Sequence, residues 1–294
     1  MGYRQVFIRK SEKIQFRDNQ LLITKEGNEF SLPLEDINYI ILEDVTTVIT
    51  AKLLSELGKN AIALLVCDDK HEPTSILYPY NYHFKQLEVL EKQLSFNDEG
   101  KAYLWKLIIE KKIANQIAVL EKTTQEESVI IKIKEFQETV DNGDITIREG
   151  LAAKMYFRSL FGSDFIRQYD DGVNAALNYG YSILKSAIVR NLAVFGLNSY
   201  LGINHKSKTN NFNLTYDLIE PFRPVVDHFV YEHSEELVDH LSFDIRKKLV
   251  DLLNYPMIIN KRKCTIEYAI ELLIKSYVKV LESGVLELDL PDIS

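Results

Sequence analysis

The 294 residues are 46% apolar and 27% charged, enough for one large domain or two modest ones with a sizeable core. Glycine is scarce, at 12 residues, and no Walker-type loop or GxGxxG is present, which excludes the common glycine-cradled nucleotide sites. The net charge of −8 is uneven: Arg148 to Arg223 holds nine bases against six acids, a window of +3 that leaves −11 on the remainder and suits a phosphate-bearing partner.

Residues 1–80 read as strands and turns. QVFIR, KIQFR, QLLIT and EFSLPL are short β-like runs, with turn chemistry at Asp18-Asn19 and Gly27-Asn28. INYIILED continues the pattern. TAKLLSEL (50–57) predicts a short helix stopped by Gly58, and AIALLVCD a buried strand. Pro79 and its polar neighbours mark a connector, placed at 81–92. From 93 to 294 the period is helical, in LWKLIIEKKIANQIAVLEK, AALNYGYSILKSAIVRNLAVFG and IEYAIELLIKSYVKVLESG, the last two stopping at Gly196 and Gly284. The expected fold class is α+β, a small β-rich N-terminal domain followed by a larger all-α domain. LELDLPDIS at the C-terminal end reads as an acidic, mobile tail.

Cys67 and Cys264 are neither a disulfide framework nor a zinc spacing, and the N-terminal segment lacks the apolar core of a signal peptide. With no apolar run of membrane-spanning length, the expectation is a cytoplasmic protein with no membrane partner.

Three segments carry candidate chemistry. In DITIREGLAAKMYFRSLFG, Thr146 and Glu149 have capping-box spacing, the favoured reading of Glu149; the face shared with Ala153, Tyr156 and Leu160 also turns Glu149 inward, where it needs a partner. His205 follows a long helical stretch, and Asp217 and Glu220 sit at i and i+3 ahead of Pro221. The two acids repel unless a cation lies between them; the competing reading is a solvated acidic helix face. Carboxylates with one imidazole suit Mg²⁺ or Mn²⁺, with the imidazole tilting the choice to Mn²⁺. Lys206, Lys208 and Arg223 are placed in sequence to balance charge on a phosphate. Read alone, these residues suggest a divalent-metal site acting on a phosphate backbone.

REGLAAKMYF (148–157), VNAALNYGYSILKSAIVRNLAVFGLNSYLGINH (173–205) and NLTYDLIEPFRPVVD (213–227) are similar to the CRISPR-associated spacer integrase family, the catalytic subunit of the CRISPR adaptation complex, in its type II branch. The resemblance spans essentially the whole chain. It implies Glu149, His205 and Glu220 as catalytic metal ligands and Asp217 as an auxiliary carboxylate. Glu220 stands where many relatives have Asp, so altered geometry is expected rather than lost chemistry. Arg223 joins as auxiliary, and Arg158, Arg167, Lys206 and Lys208 as contacts to the DNA backbone.

The implied reaction is transesterification, in which the 3′-hydroxyl of captured double-stranded DNA attacks a phosphodiester of the repeat array. His205 is open to two roles, ligand or general acid. The implied assembly is a homodimer that joins a small ferredoxin-like adaptation partner protein. The alternatives are a non-catalytic DNA-binding scaffold and a stand-alone metal-dependent nuclease of branched or single-stranded DNA. The aromatics of YGYSIL read as helix packing rather than a base-stacking platform.

Overall fold

The computed structural model describes residues 2, 4–80, 82–123, 126–237 and 241–293. The chain divides into two compact units, Met1–Gln86 with Val189–Leu197, and Leu87–Ile188 with Asn198–Ser294.

In the first unit, β1 (Arg4–Ile8), β5 (Ile37–Leu42), β7 (Ala63–Cys67) and β8 (Pro73–Leu77) form one sheet in that order. β5 runs parallel to β1 and to β7 and is buried at all six positions, apolar but for Asn38, as expected of a strand covered on both faces. The second sheet has the order β4 (Asn28–Pro33), β3 (Gln20–Lys25), β2 (Lys13–Arg17), β6 (Val48–Ile49). Asp18 and Asn19 both take positive φ, as the two-residue β2–β3 turn requires. The β3–β4 turn is Glu26-Gly27, one residue before the expected Gly27-Asn28, because Asn28 already pairs with Lys25. Helix α1 (Ala51–Lys59) starts at Thr50, whose hydroxyl accepts from Leu53 N at 3.3 Å. Gly58 lies inside its last turn, so it does not stop the helix; Asn60 follows the end. Ile14, Leu21, Leu34, Ile40, Leu53 and Leu57 are the centre of this unit's core. Arg190 is fully buried here, its Nε donating to Ala61 O at 2.5 Å and its guanidinium over the Tyr39 ring.

The second unit is helical: α2 (Gln86–Ser95), α3 (Asp98–Thr123), α4 (Glu127–Glu138), α5 (Arg148–Phe161), α6 (Gly172–Val194, whose end enters the first unit), α7 (Asn213–Leu218), α8 (Arg223–Glu232), α9 (Phe243–Asp251) and α10 (Ile266–Ser283). α2 begins inside the expected connector. The 26-residue α3 is the central post, packed against α4, α5 and α8. A short 3-10 turn, Glu220–Phe222, joins α7 to α8 where Pro221 removes a backbone donor.

The helices carry one small sheet that helical periodicity did not announce, β10 (Arg262–Thr265), β9 (Pro256–Ile259) and β11 (Asp292–Ile293) in that order. β11 corrects the expectation of a mobile C-terminal tail. Its residues pair with Met257 and Ile258, and Asn115 on α3 donates to Pro291 O at 3.0 Å and accepts from Ile293 N at 3.2 Å. Lys111 also pairs with Asp292. Acidic composition suggested solvation, but α3 supplies the partners that make packing cheaper. No helix among the described residues is long and apolar enough to cross a membrane.

Candidate functional site

A cavity of about 440 Å³ lies within the helical unit. α3 lends it Trp105, Lys112 and Gln116, spaced to share one helix face. Glu149 comes from the first turn of α5, Tyr181 from α6, His205 from the loop before α7, Glu220 from the 3-10 turn, and Arg223 and Asp227 from the first turns of α8.

Glu149 is placed by an unforeseen cap. Thr146 and Glu149 do not form a capping box: α5 begins at Arg148, and Ile147 before it takes φ +55° with no side-chain cap bond. The Asp144 carboxylate caps the helix instead, accepting from Arg148 N at 2.7 Å and Glu149 N at 3.1 Å. Burial raises the Asp144 carboxyl and these two donors pull it back. Glu149 is thereby released from capping and pairs with Lys112. Asp144→Ala is expected to cost about 1–2 kcal/mol of stability, read from urea unfolding, because it orphans two donors of the turn that carries Glu149.

Glu220 is deeply buried, at 6% exposure. Its Oε1 accepts from Arg223 Nε at 2.9 Å, and its Oε2 is paired with Lys112 Nζ at 2.5 Å. Burial pushes this carboxyl up, but Arg223 and Lys112 outweigh it and hold it below its ordinary value. Lys112 is likewise desolvated, yet Glu220 and Glu149 keep its ammonium charged. One ammonium therefore serves two carboxylates from different helices.

His205 is held by Asp217. That carboxylate is fully buried and accepts from Ile203 N at 2.5 Å, Asn204 N at 3.1 Å and His205 N at 3.1 Å, and from His205 Nδ1 at 2.6 Å. The Nδ1 bond assigns the proton to that nitrogen and leaves Nε2 for other work. The bond to Asp217 raises the His205 imidazole above its usual value against an opposing burial effect. Gly202 permits this latch: a Cβ there would lie 2.3 Å from His205 O and 2.8 Å from Asp217 Oδ2. Trp105 meets the imidazole edge-on, with centroids 5.7 Å apart.

Tyr181, a core residue at 9% exposure, donates to Asp227, whose carboxyl burial pushes up to about 6. Gly180 allows the approach, since a Cβ there would meet Val226 Cγ1 at 2.5 Å. Arg223 and Arg167 both lie over the Tyr181 ring, at 4.5 and 5.3 Å from its centroid.

Residues 6–254 match the family described as CRISPR associated protein Cas1, and the chain is 36% identical, over all of its length and 97% of the relative's, to a CRISPR-associated endonuclease Cas1 of Neisseria meningitidis serogroup C (strain 8013). The chain belongs to the Cas1 family. Among solved structures, a casposase bound to an integration product has the same fold, with TM-score 0.81 and 22% identity over 98% of this chain and 93% of that one. A chain of a Cas6-RT-Cas1–Cas2 complex aligns with TM-score 0.76 and 16% identity over 98% of this chain and 36% of its own length.

For this Cas1 chain, the structure brings Glu149, His205 and Glu220 to one cavity, together with Arg223 and Arg167. Asp217 and Glu220 do not present a shared acidic face: Asp217 turns to the His205 loop and Glu220 to Lys112 and Arg223. Arg167 is fixed by Asn174 at 2.9 Å and Asn178 at 2.7 Å. Arg158, Lys206 and Lys208 are exposed and do not line the cavity; Lys206 stands 3.6 Å from Asp98. The packing assignment of YGYSIL holds for Tyr179, while Tyr181 is also cavity wall.

The donor set suits an oxygen-preferring divalent ion: two carboxylates that share one ammonium, and an imidazole whose Nδ1 is held by Asp217. Among the described residues no three His, Cys, Asp or Glu side chains converge as a set able to hold an ion as placed, and Lys112 Nζ stands between the two glutamates.

Proposed function

We propose that this chain is a metal-dependent DNA integrase and endonuclease that inserts captured double-stranded DNA into a CRISPR array by 3′-hydroxyl transesterification. The observation that carries the reading is the cavity where Glu149 and Glu220 share one cation and His205 faces them from a separately latched loop. The relative's printed name, an endonuclease, and the casposase seen with its integration product support the same class of reaction.

Glu149, His205 and Glu220 would hold Mg²⁺ or Mn²⁺. Bound there, the ion would supply Lewis acidity toward the phosphodiester and favour ionisation of the attacking hydroxyl. Arg223, and Arg167 beside it, bring positive charge to the cavity wall where a phosphate gathers negative charge. His205 would offer Nε2 to the ion while Asp217 holds Nδ1 and so fixes the tautomer and the direction of the ring. One phosphodiester replaces another, so no nucleotide energy is required. Exposed Arg158, Lys206 and Lys208 serve as phosphate contacts away from the chemistry. The working form is a cytoplasmic homodimer that joins a small ferredoxin-like adaptation partner; the Cas1–Cas2 assembly in a structural neighbour supports this partner class.

The test is incubation of the protein with Mn²⁺, a 3′-hydroxyl duplex and a supercoiled repeat plasmid, with and without the small partner. Joined product should form from 3′-hydroxyl ends and be lost with 3′-deoxy ends. Plasmid cutting that is indifferent to the 3′-end would identify water as the nucleophile and favour the nuclease.

A further inference from the structure

Lys112 is an anomaly of its own helix. It sits on the core-facing stripe of α3, between Ile108 and Gln116, where an apolar residue is the ordinary occupant. Its side chain is only 9% exposed, and its ammonium contacts Glu149 Oε1 and lies 2.5 Å from Glu220 Oε2. Arg223 is committed elsewhere, to Glu220 Oε1 and the Tyr181 face. The second oxygen of Glu220 and the carboxylate of Glu149 thus depend on Lys112, and without a cation between them two acids would face each other inside a cavity wall.

An ammonium and a divalent ion cannot both occupy contact distance of the same two oxygens, since like charges at that range repel strongly in a low-dielectric site. The lysine stem is flexible, with four carbons and a compact head, so Nζ can leave while its Cα stays in α3. The cavity of about 440 Å³ that Lys112 lines gives the displaced head room.

We propose that Lys112 is a tethered counter-ion: its ammonium holds Glu149 and Glu220 together in the metal-free protein, and a divalent ion entering the site displaces it. Lys112 is then a positioning residue that sets the metal affinity through competition for the two glutamates. The inference rests on the metal-dependent reading above.

The test is a Mn²⁺ titration of the parent protein and of Lys112→Met by calorimetry, with thermal unfolding of each with and without Mn²⁺. Lys112→Met should unfold at a lower temperature than the parent without metal. Its Mn²⁺ dissociation constant should fall by a factor within the roughly 5- to 150-fold range of coupled sites, and its midpoint should rise further on Mn²⁺ addition than the parent's. In the unmodified protein, acylation of Lys112 by an amine reagent, mapped by mass spectrometry, should increase severalfold when Mn²⁺ saturates the site. This second measurement decides the matter if Lys112→Met does not fold. Equal or weaker Mn²⁺ binding by Lys112→Met, or unchanged labelling at saturating Mn²⁺, overturns the proposal and leaves Lys112 a fixed ion pair. Mn²⁺ binding by neither protein removes the metal-dependent reading with it.

Discussion

Asp217→Ala should destabilise the protein by about 3–5 kcal/mol and abolish strand transfer, although Asp217 does not line the cavity. Its carboxylate is fully buried and accepts four hydrogen bonds, three from consecutive backbone N–H groups of Ile203, Asn204 and His205. Alanine takes away the acceptor of those donors at a fully buried position. The imidazole also loses the bond that fixes its tautomer and direction. Asp217→Asn keeps one acceptor oxygen but turns an NH₂ group toward N–H donors, so it should fall between the parent and Asp217→Ala. Urea unfolding measures the stability and a plasmid assay the activity. An Asp217→Ala protein within about 1 kcal/mol of the parent would mean the latch is not what holds the loop.

The second large effect is on chemistry. On the proposed reading, Glu149→Ala, His205→Ala and Glu220→Ala should each lower strand transfer by about 10³-fold or more, since each would remove a ligand of the ion and with it several kcal/mol of transition-state stabilisation. The three should separate in stability. The His205 side chain is 42% exposed and ends its network, so His205→Ala should stay close to the parent. Glu220→Ala strands Lys112 and Arg223 in a buried site and should cost about 3–5 kcal/mol, with Glu220→Gln less severe because it still accepts from Arg223. Glu149 is partly exposed, at 32% of its side chain, so Glu149→Ala should fall between them. Near-parental strand transfer by any one of the three removes that residue from the mechanism.

The sequence showed the two-part organisation because each part obeys a period. Residues 37–42 are apolar except for Asn38 and form the strand buried at every position, while the spacing of three and four after 98 yields the long α3. It showed the small sheet of the helical unit poorly. β9 and β10 have four residues each and β11 two, too short for alternation to register, and β11 is held by Asn115 from 176 residues upstream or more.

The site was legible in the same uneven way. Glu149, His205 and Glu220 stand in segments with a strong family likeness. Lys112, Asp144 and Asp227 do not announce themselves, because their roles come from pairings across helices. Lys112 did leave a trace: a charge on the apolar stripe of a 26-residue helix needs a buried partner, and a helix-by-helix search for such misplaced charges finds it. Asp144 was obscured by Thr146, whose capping-box spacing is correct but whose position precedes an isoleucine in the left-handed region, so that the helix starts later than the box requires.

The proposed mechanism requires one divalent ion shared by Glu149, His205 and Glu220. Anomalous diffraction at the manganese edge, from crystals of the protein grown with Mn²⁺ and a 3′-hydroxyl duplex, tests it most directly. A single strong peak is expected between these three side chains, with Lys112 Nζ moved off the glutamates. A manganese peak bound elsewhere, with Lys112 still seated between Glu149 and Glu220, would contradict it.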